Sequence, residues 1–214
     1  MADGVVKLKP TFKNKPLLYL KQEGHGSFFN KAIEKISSPL FKYKKTFIYV
    51  KTDNHLDEYI PEITPKFTEL LINNIDALEN IMYQGKAQIH KNFLKGDRCF
   101  VAYLNGEIIH YTWVSFKEGH IASIEKDIKL KESEAYIYNV RTLPDFRNKG
   151  IFLFVLGNVC KQLSKDGYKK LYTSILENNI SSQKAFEKIG FKKSKEVRYF
   201  KIFGHKRYHY KELS

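Results

Sequence analysis

The sequence predicts a domain of the α+β (α/β) class, and three observations support that prediction. A chain of 214 residues can close one sizeable core but is short for two full domains. Hydrophobic residues make up 43% and charged residues 28%, as in globular rather than disordered proteins. Apolar patterning predicts helices first, then an antiparallel meander, then strand–helix–strand–helix–strand.

The N-terminal segment is predicted to be an arm that packs on the main domain. Residues 1–45 are basic and are interrupted by three prolines. Within this arm we predict a strand near residues 16–22 and a short helix near residues 28–36. The main domain is then expected to cover residues 46–214.

The next predicted elements are a strand, a helical region and a hairpin. A β-branched and aromatic run predicts a strand over residues 46–52. Apolar spacing predicts helix from Pro61 to about Lys95. Residues 99–104 and 107–116 are strand-like runs on either side of Asn105 and Gly106, the strongest short hairpin turn.

Strands and helices alternate in the C-terminal half. Residues 118–134 are charged and less regular, which predicts a strand and a loop. The predicted helices are residues 150–165, which carry one apolar face, and residues 181–189, which Gly190 ends. The predicted strands are residues 135–142, 170–176, 196–203 and 206–211.

Composition excludes some classes of function but does not identify one. A net charge of +14 favours anionic partners, which include nucleic acid, anionic lipid and phosphorylated small molecules. Cys99 and Cys160 are lone thiols without metal-ligand spacing, so neither a disulfide framework nor a metal site is expected. No run reaches the roughly 18–20 apolar residues of a membrane span, and no apolar leader follows Met1. We therefore expect a cytoplasmic protein with no membrane partner.

The most informative segment, residues 136–152, is a predicted strand that runs through a turn into a helix. The leading N–H groups of a helix have no internal partner, and the helix dipole favours negative charge beside them. Gly150 at the helix start permits close approach of an anion to the backbone. Arg147 and Lys149 can add charge-assisted hydrogen bonds, so the segment predicts a phosphate site.

This segment resembles motif A of the GNAT superfamily, the GCN5-related N-acetyltransferases. In that motif a strand is followed by Pro-x-x-Arg-x-x-Gly-x-Gly/Ala. Pro144, Arg147 and Gly150 match the pattern, whereas Phe152 stands where Gly or Ala is usual. The resemblance implies that backbone amides from Arg147 to Phe152 hold the pyrophosphate of acetyl-CoA.

A second segment, residues 177–191, resembles motif B of the same superfamily. The positions that match in type and spacing are Asn179, Ser182, Glu187, Lys188, Gly190 and Phe191. Phe186 departs from the pattern, because a Tyr that protonates the leaving thiolate is usual there. The two motifs occur in the expected order about thirty residues apart, which strengthens the resemblance.

The resemblance implies a GNAT-like fold with a mixed, mostly antiparallel central sheet, a splayed parallel strand pair and helices on both faces. The pantetheine arm would lie along the splayed strand as an added strand does. Acetyl-CoA or coenzyme A is the expected co-substrate, with no metal. The expected cofactor-binding residues are Val140, Arg141, Thr142, Arg147, Asn148, Lys149, Gly150, Ile151, Phe152, Asn179, Ser182, Lys184, Phe186 and Lys188.

The expected reaction is direct attack of a primary amine on the thioester. The amine is protonated at neutral pH and must lose a proton, while backbone amides of residues 140–142 stabilise the oxyanion. The candidate bases are Glu134 and Glu177, followed by Tyr136, Tyr138 and His110. Candidate proton donors in place of Phe186 are Tyr138, Tyr172 and Ser182.

The acceptor and the rival functions stay open at this point. Residues 52–95 and 118–134 are expected to select the acceptor, which is an amino sugar, a nucleotide sugar or another anionic small molecule. One alternative is a CoA-binding protein with a sensor or partner role, since Phe152 and Phe186 depart from the motifs. Another is a nucleic-acid-binding module at the basic, aromatic residues 192–210, although a closing hairpin explains that pattern and no specific nucleic acid is expected. A homodimer is left open.

Overall fold

An eight-stranded sheet organises the computed structural model of this chain, which describes residues 41–52, 58–79, 81–82 and 85–213. The strands are β1 Phe41–Lys51, β2 Lys66–Leu70, β3 Arg98–Leu104, β4 Glu107–Ser115, β5 Glu118–Ile121, β6 Lys126–Lys129, β7 Glu134–Thr142, β8 Lys170–Leu176, β9 Lys192–Ile202 and β10 His205–Glu212. The α-helices are α1 Ile75–Glu79, α2 Lys86–Leu94, α3 Ile151–Lys165 and α4 Ile180–Lys188.

The strand order of the large sheet is β10-β9-β1-β8-β7-β4-β3-β2, and β5 and β6 form a separate hairpin. Neighbouring strands of the large sheet are antiparallel except β7 and β8, which are parallel. The predicted mixed, mostly antiparallel sheet with one parallel pair is therefore confirmed.

Strand β1 lies inside the sheet, between two strands from the C-terminal half of the chain. It pairs with β8 from Thr46↔Leu176 to Lys51↔Leu171, and with β9 from Phe41↔Ile202 onward. The strand begins earlier than the predicted residue 46, so the last five residues of the predicted arm belong to the sheet. The rest of that arm, with its predicted strand and helix, lies outside the described residues.

Side chains from the two faces of the sheet form separate cores, each covered by helices. On one face α3 and α4 pack against Phe100, Ile109 and Ile137. On the other face α1 and α2 cover Val101 and Trp113. A third cluster on that second face lies under the β5–β6 hairpin and includes Ile121, Ile124, Tyr136, Val197 and Tyr199. The prediction of helices on both faces is confirmed.

The predicted helix from Pro61 to Lys95 is wrong over Lys66–Leu70, which form the edge strand β2. β2 pairs with β3, and the ring of Phe67 stacks on Phe100 with 5.8 Å between centroids. Local apolar spacing favoured a helix, but the free edge of β3 supplied a partner that spacing cannot reveal. Among the described residues of this region, helix is found in α1, α2 and a 3-10 turn at Ile72–Asn74.

The elements predicted from local turn and strand signals agree closely with the structure. Asn105 and Gly106 have positive φ angles of 51° and 81°, as the β3–β4 hairpin turn requires. β8 has the predicted bounds, and Gly190 ends α4 with φ of 90°. Residues 118–134 contain the β5–β6 hairpin where one strand and a loop were predicted.

Candidate functional site

The parallel strands β7 and β8 separate after a short paired stretch. Their register runs from Glu134↔Lys170 to Tyr136↔Tyr172, although the strands continue to Thr142 and Leu176. At the last pair the hydroxyls of Tyr136 and Ser174 lie 2.6 Å apart. Beyond this point the two strands diverge, so the predicted splayed pair is confirmed.

A β-bulge in β7 accompanies the separation. Trp113 of β4 pairs with Tyr138 and Tyr111 pairs with Arg141, so Asn139 and Val140 both stand opposite a single residue of β4. Asn139 has a φ of 48°, in the left-handed region. Such a bulge bends its strand and re-aims the neighbouring side chains, and here it lies just beyond the last β7–β8 pair.

The separation opens a cleft of about 790 Å³. β7 and β8 form two of its walls, with Val140 on one and residues 173–176 on the other. Helix α4 adds Asn179, Ser182 and Phe186. Helix α2 and the β5–β6 hairpin close the remaining sides with Gln88, Lys91, Asn92, Glu118, His120 and Asp127.

The turn after β7 leads directly into α3, as the phosphate-site prediction requires. Gly150 is the N-cap residue of α3 with φ of 74°, and no side chain caps the helix. The first backbone amide of α3 with a helical hydrogen bond is Phe154 N–H, which donates to Gly150 O over 3.0 Å. The three amides before it therefore lack helical partners. Arg147 and Asn148 beside them are exposed, and Lys149 and Ile151 complete the turn.

Glycine is required at position 150 for two reasons. A residue with a side chain is strained at that positive φ angle. A Cβ atom would also lie 3.1 Å from Cα of Pro61, because the segment before β2 packs against this turn. Glu62 N–H donates to Lys149 O over 3.2 Å and fixes that contact.

The residues of the second motif meet the cleft at the start of α4. Oδ1 of Asn179 caps the helix by accepting hydrogen bonds from Ser182 N–H over 3.3 Å and Ser181 Oγ over 3.2 Å. Gln183 Nε2 donates to the carbonyls of Leu176 and Glu177, which holds α4 against the end of β8. Asn179 and Ser182 line the cleft, whereas Lys184 and Lys188 are exposed elsewhere on the helix.

Two phenylalanines occupy the positions where the motifs usually have other residues. Phe152 meets Phe186 edge-on with 5.5 Å between ring centroids, and Phe186 meets Phe191 in the same way at 5.1 Å. Phe186 is buried and reaches the cleft, where its ring offers no hydroxyl group. The Phe152 ring packs against the main core cluster.

His110 is a buried structural residue in this arrangement. Its Nδ1 lies 2.7 Å from Thr142 Oγ1 and its Nε2 lies 2.8 Å from Thr112 Oγ1. Burial lowers the pKa of His110 to about 3, so the ring is neutral at physiological pH. The bond to Thr142 ties the end of β7 to β4, whereas the bond to Thr112 stays within β4. His110 does not line the cleft.

The structure does not bring the two predicted carboxylate bases into the cleft. Glu134 lies at the paired end of β7, where it accepts hydrogen bonds from Tyr172 Oη over 3.0 Å and Lys131 N–H over 2.9 Å. Both Glu134 and Tyr172 line a different cavity of about 600 Å³. The Glu177 carboxylate is half exposed and pairs with Lys45 Nζ over 2.9 Å.

Tyr138 does line the cleft, and it contacts a carboxylate that the sequence analysis missed. Its hydroxyl donates to Oδ2 of Asp97 over 2.7 Å, and Ser115 Oγ donates to Oδ1 of Asp97 over 2.7 Å. Asp97 is buried and also lines the cleft. Burial, followed by the negative charge of Asp97, raises the pKa of Tyr138 well above its ordinary value. The sequence signal that could have identified Asp97 is an acidic residue directly before a strongly apolar strand.

No group of three or more His, Cys, Asp or Glu side chains could hold a metal ion within residues 41–213 as described. In the same part of the chain, no helix combines the length and the apolar character needed to cross a bilayer. Cys99 and Cys160 are both buried free thiols.

Comparison with known proteins agrees with this geometry. The family model described as "Acetyltransferase (GNAT) family" matches residues 67–191. A putative acetyltransferase from the GNAT family of Novosphingobium aromaticivorans has a TM-score of 0.54 at 12% identity, covering 73% of this chain and 63% of that chain. A GCN5-related N-acetyltransferase from Sphaerobacter thermophilus has a TM-score of 0.51 at 12% identity, covering 89% and 57% respectively. At such identities the likeness concerns the fold alone.

Two further similarities are with proteins whose printed names give no activity. A Drosophila protein of known structure has a TM-score of 0.55 at 12% identity, covering 84% of this chain and 59% of its own length. An uncharacterized protein from Methanocaldococcus jannaschii is 58% identical over 40 residues, which is 19% of this chain. This chain spans only 8% of that relative.

Proposed function

We infer that this chain, which belongs to the acetyltransferase (GNAT) family, is an N-acyltransferase that moves an acetyl group from acetyl-CoA to a primary amine. The observation that carries this proposal is the end of β7–β8 pairing at Tyr136↔Tyr172, directly beside a cleft. The turn after β7 then leads into a helix whose first amides have no side-chain cap. A free strand edge can bind an extended ligand, and a helix start can bind a diphosphate at its end.

The described residues fit acetyl-CoA as co-substrate. The unpaired edge of β7 near Val140 can hydrogen-bond a pantetheine arm as an added strand would. The leading amides of α3, entered through Gly150, can hold the pyrophosphate, and the exposed Arg147 adds positive charge there. When bound, the co-substrate supplies an acyl group already activated as a thioester.

Tyr138 is the residue we propose as proton donor in place of the hydroxyl that Phe186 lacks. Like any phenol, Tyr138 is protonated at neutral pH, so it has a proton to give at the cleft. Asp97 Oδ2, 2.7 Å away, can return a proton to Tyr138 Oη after taking one from the amine. In this proposal Asp97 replaces Glu134 and Glu177, which lie away from the cleft, as the proton acceptor.

The acceptor we propose is an amino sugar, a nucleotide sugar or another small anionic amine. Lys91 and Lys95 lie on the α2 side of the cleft, where they can attract negative charge. The test of the whole proposal is thermal denaturation with acetyl-CoA, followed by transfer assays over a panel of amines. A ligand at a hundred times its dissociation constant stabilises a protein by about 2.7 kcal/mol, which raises the melting temperature measurably. Absence of any shift would refute the proposal.

A second candidate function is that of a CoA-binding sensor or partner subunit, and Phe186 is the observation that favours it. The buried Phe186 ring places hydrocarbon at the cleft where a proton donor is usual in the family. A protein of this kind binds acetyl-CoA but transfers nothing. Persistent binding without turnover of any amine would select it over the enzyme.

The nucleic-acid alternative has less support than either. Tyr199 is buried and stacks on Tyr208 with 5.2 Å between ring centroids, so these rings pack against each other. Lys201 and Lys206 both form ion pairs with Glu125, at 3.2 and 3.0 Å. A closing hairpin with internally paired charges accounts for these residues.

A further inference from the structure

We propose that Asp97 and Asn92 form an amine subsite in the cleft, which takes a primary amine with a hydrogen-bond acceptor on the neighbouring carbon. This inference rests on the proposed function, because it names the part of the cleft that the acceptor would occupy. Both residues are buried and both line the cleft. The backbone N–H of Asp97 donates to Asn92 O over 3.1 Å, which fixes the two residues relative to each other.

Asp97 is a buried carboxylate without a positively charged partner. Its oxygens accept hydrogen bonds from Ser115 and Tyr138, and a carboxylate can accept about four in all. Across the described residues, no lysine, arginine or histidine forms an ion pair with it. Burial of an unpaired carboxylate is unfavourable, and a bound ammonium group would compensate the charge.

Asn92 supplies a donor that also lacks a partner. The residue is 5% exposed, and its Oδ1 accepts a hydrogen bond from Gln88 Nε2 over 2.9 Å. Its Nδ2 is buried without a hydrogen-bond partner in the part of the chain that the structure describes. A ligand oxygen would satisfy a buried amide in this state, so Asn92 indicates an acceptor atom beside the amine.

The other two carboxylates of the cleft, Glu118 and Asp127, already have partners among the cleft residues. Glu118 forms an ion pair with Lys95 Nζ over 3.3 Å, and His120 Nδ1 lies 2.6 Å from Asp127 Oδ1. Asp97 is therefore the cleft carboxylate that a new cation would reach without breaking an existing pair. An amine beside a hydroxyl or carbonyl, as in a 2-amino sugar, would satisfy Asp97 and Asn92 together.

The experiment compares D-glucosamine with cyclohexylamine, which has a six-membered ring and an amine but no oxygen. Both are titrated into the free protein without CoA, and binding is followed by the ¹⁵N-NMR shift of the Asn92 side-chain amide. The wild type is expected to bind D-glucosamine more tightly than cyclohexylamine. Asp97→Asn should weaken both amines about tenfold or more, whereas Asn92→Leu should weaken D-glucosamine alone, about threefold to tenfold.

For the variants, where the Asn92 signal is shifted or lost, calorimetry gives the dissociation constants. Asp127→Asn is the matched control, because it removes a cleft carboxylate that already has a partner, and it should leave amine binding unchanged. Far-UV circular dichroism checks that each variant folds. Wild-type binding of neither amine, or equal binding by wild type and Asp97→Asn, would overturn the inference.

The same experiment separates this inference from the proposed function. The CoA-dependent melting shift is measured in parallel on every variant, and Asp97→Asn and Asn92→Leu should retain it. If the wild type shows no CoA-dependent melting shift, the proposed function is refuted. The amine titration is done without CoA, so it still tests the proposed amine subsite in that case. A normal CoA shift with amine binding that is indifferent to Asp97 refutes the subsite alone.

Discussion

The hydroxyl of Tyr138 and the carboxylate of Asp97 form a 2.7 Å hydrogen bond across 41 positions of sequence. The bond joins the bulged strand β7 to the residue that precedes β3, at the cleft where the parallel strands separate. It gives the proposed proton donor a carboxylate within direct reach. Two predictions test whether that donor is needed.

Removing the Tyr138 hydroxyl should slow acyl transfer without weakening co-substrate binding. We expect Tyr138→Phe to lower kcat by about 10²-fold, the lower end of the range for a lost general acid. Timed assays of amine acetylation, quenched at intervals, give kcat, and calorimetry gives the dissociation constant for CoA. A rate within a few-fold of the wild type would show that another group donates the proton.

A hydroxyl restored at position 186 should partly rescue that variant. Phe186 lies in the cleft wall, so Phe186→Tyr presents a phenol where the family usually has one. In the wild-type background we expect little gain, because Tyr138 already serves. In the Tyr138→Phe background we expect recovery of roughly tenfold or more of the lost rate. Equal effects of Phe186→Tyr in the two backgrounds would contradict a shared role.

Charge placed at the entrance to α3 should abolish co-substrate binding. Gly150→Glu puts a carboxylate beside the amides that are proposed to hold the pyrophosphate, and it should eliminate the CoA-dependent melting shift. Gly167→Glu is the matched control, because Gly167 also has positive φ, 90°, but nothing lies within 4 Å of an added Cβ. Both variants carry similar backbone strain and the same charge change.

For each variant, the melting temperature with CoA is compared with that variant's own melting temperature without CoA. Gly150→Glu is expected to melt lower than Gly167→Glu, since its Cβ would approach Cα of Pro61 to 3.1 Å. Circular dichroism establishes that both are folded at the assay temperature. Equal CoA shifts in the two variants would remove the helix start from the proposed binding site.

Mild acid should destabilise the protein through His110. The pKa of this buried ring is lowered to about 3 from the ordinary 6.5, so below pH 6.5 the unfolded chain binds a proton that the folded chain does not. The free energy of unfolding should therefore fall by about 2 kcal/mol between pH 7.5 and pH 5 from this residue. Below about pH 3 the contribution should no longer change.

Urea denaturation at a series of pH values measures that fall. His110→Gln retains a side-chain amide between Thr142 and Thr112 but does not titrate, so its stability should change less over the same range. The difference between the two slopes isolates His110 from the other histidines. Parallel curves for wild type and variant would show that His110 does not carry the effect.

Those parts of the fold that depend on local chemistry could be predicted from the sequence. Asn105-Gly106 specifies its hairpin because both residues tolerate positive φ, and Gly150 marks the start of α3 for a related reason. The strand β2 could not be predicted, because Phe67 is held by stacking on Phe100 of a neighbouring strand. The helical spacing of apolar residues in the β2 segment gives no indication of that partner strand.

The candidate site likewise combines residues that could be predicted from the sequence with residues that could not. Val140, Asn179, Ser182 and Phe186 were expected at a groove, and they line the cleft. Asp97 could not be identified as a site residue from the sequence, since its partners Ser115 and Tyr138 come from two other strands. Glu134 and Glu177 were the leading candidate bases, but sequence alone could not tell which end of the sheet opens.

The position of β1 has a consequence for how the cleft is assembled. Past Tyr172, where β7 departs, the outer half of β8 is paired only with β1, from Thr46↔Leu176 to Tyr49↔Thr173. One wall of the groove is thus supported by β1, which precedes β8 in the chain and can pair with it only after β8 has been synthesised. A nascent chain that stops short of Leu176 therefore has no complete groove to offer a ligand.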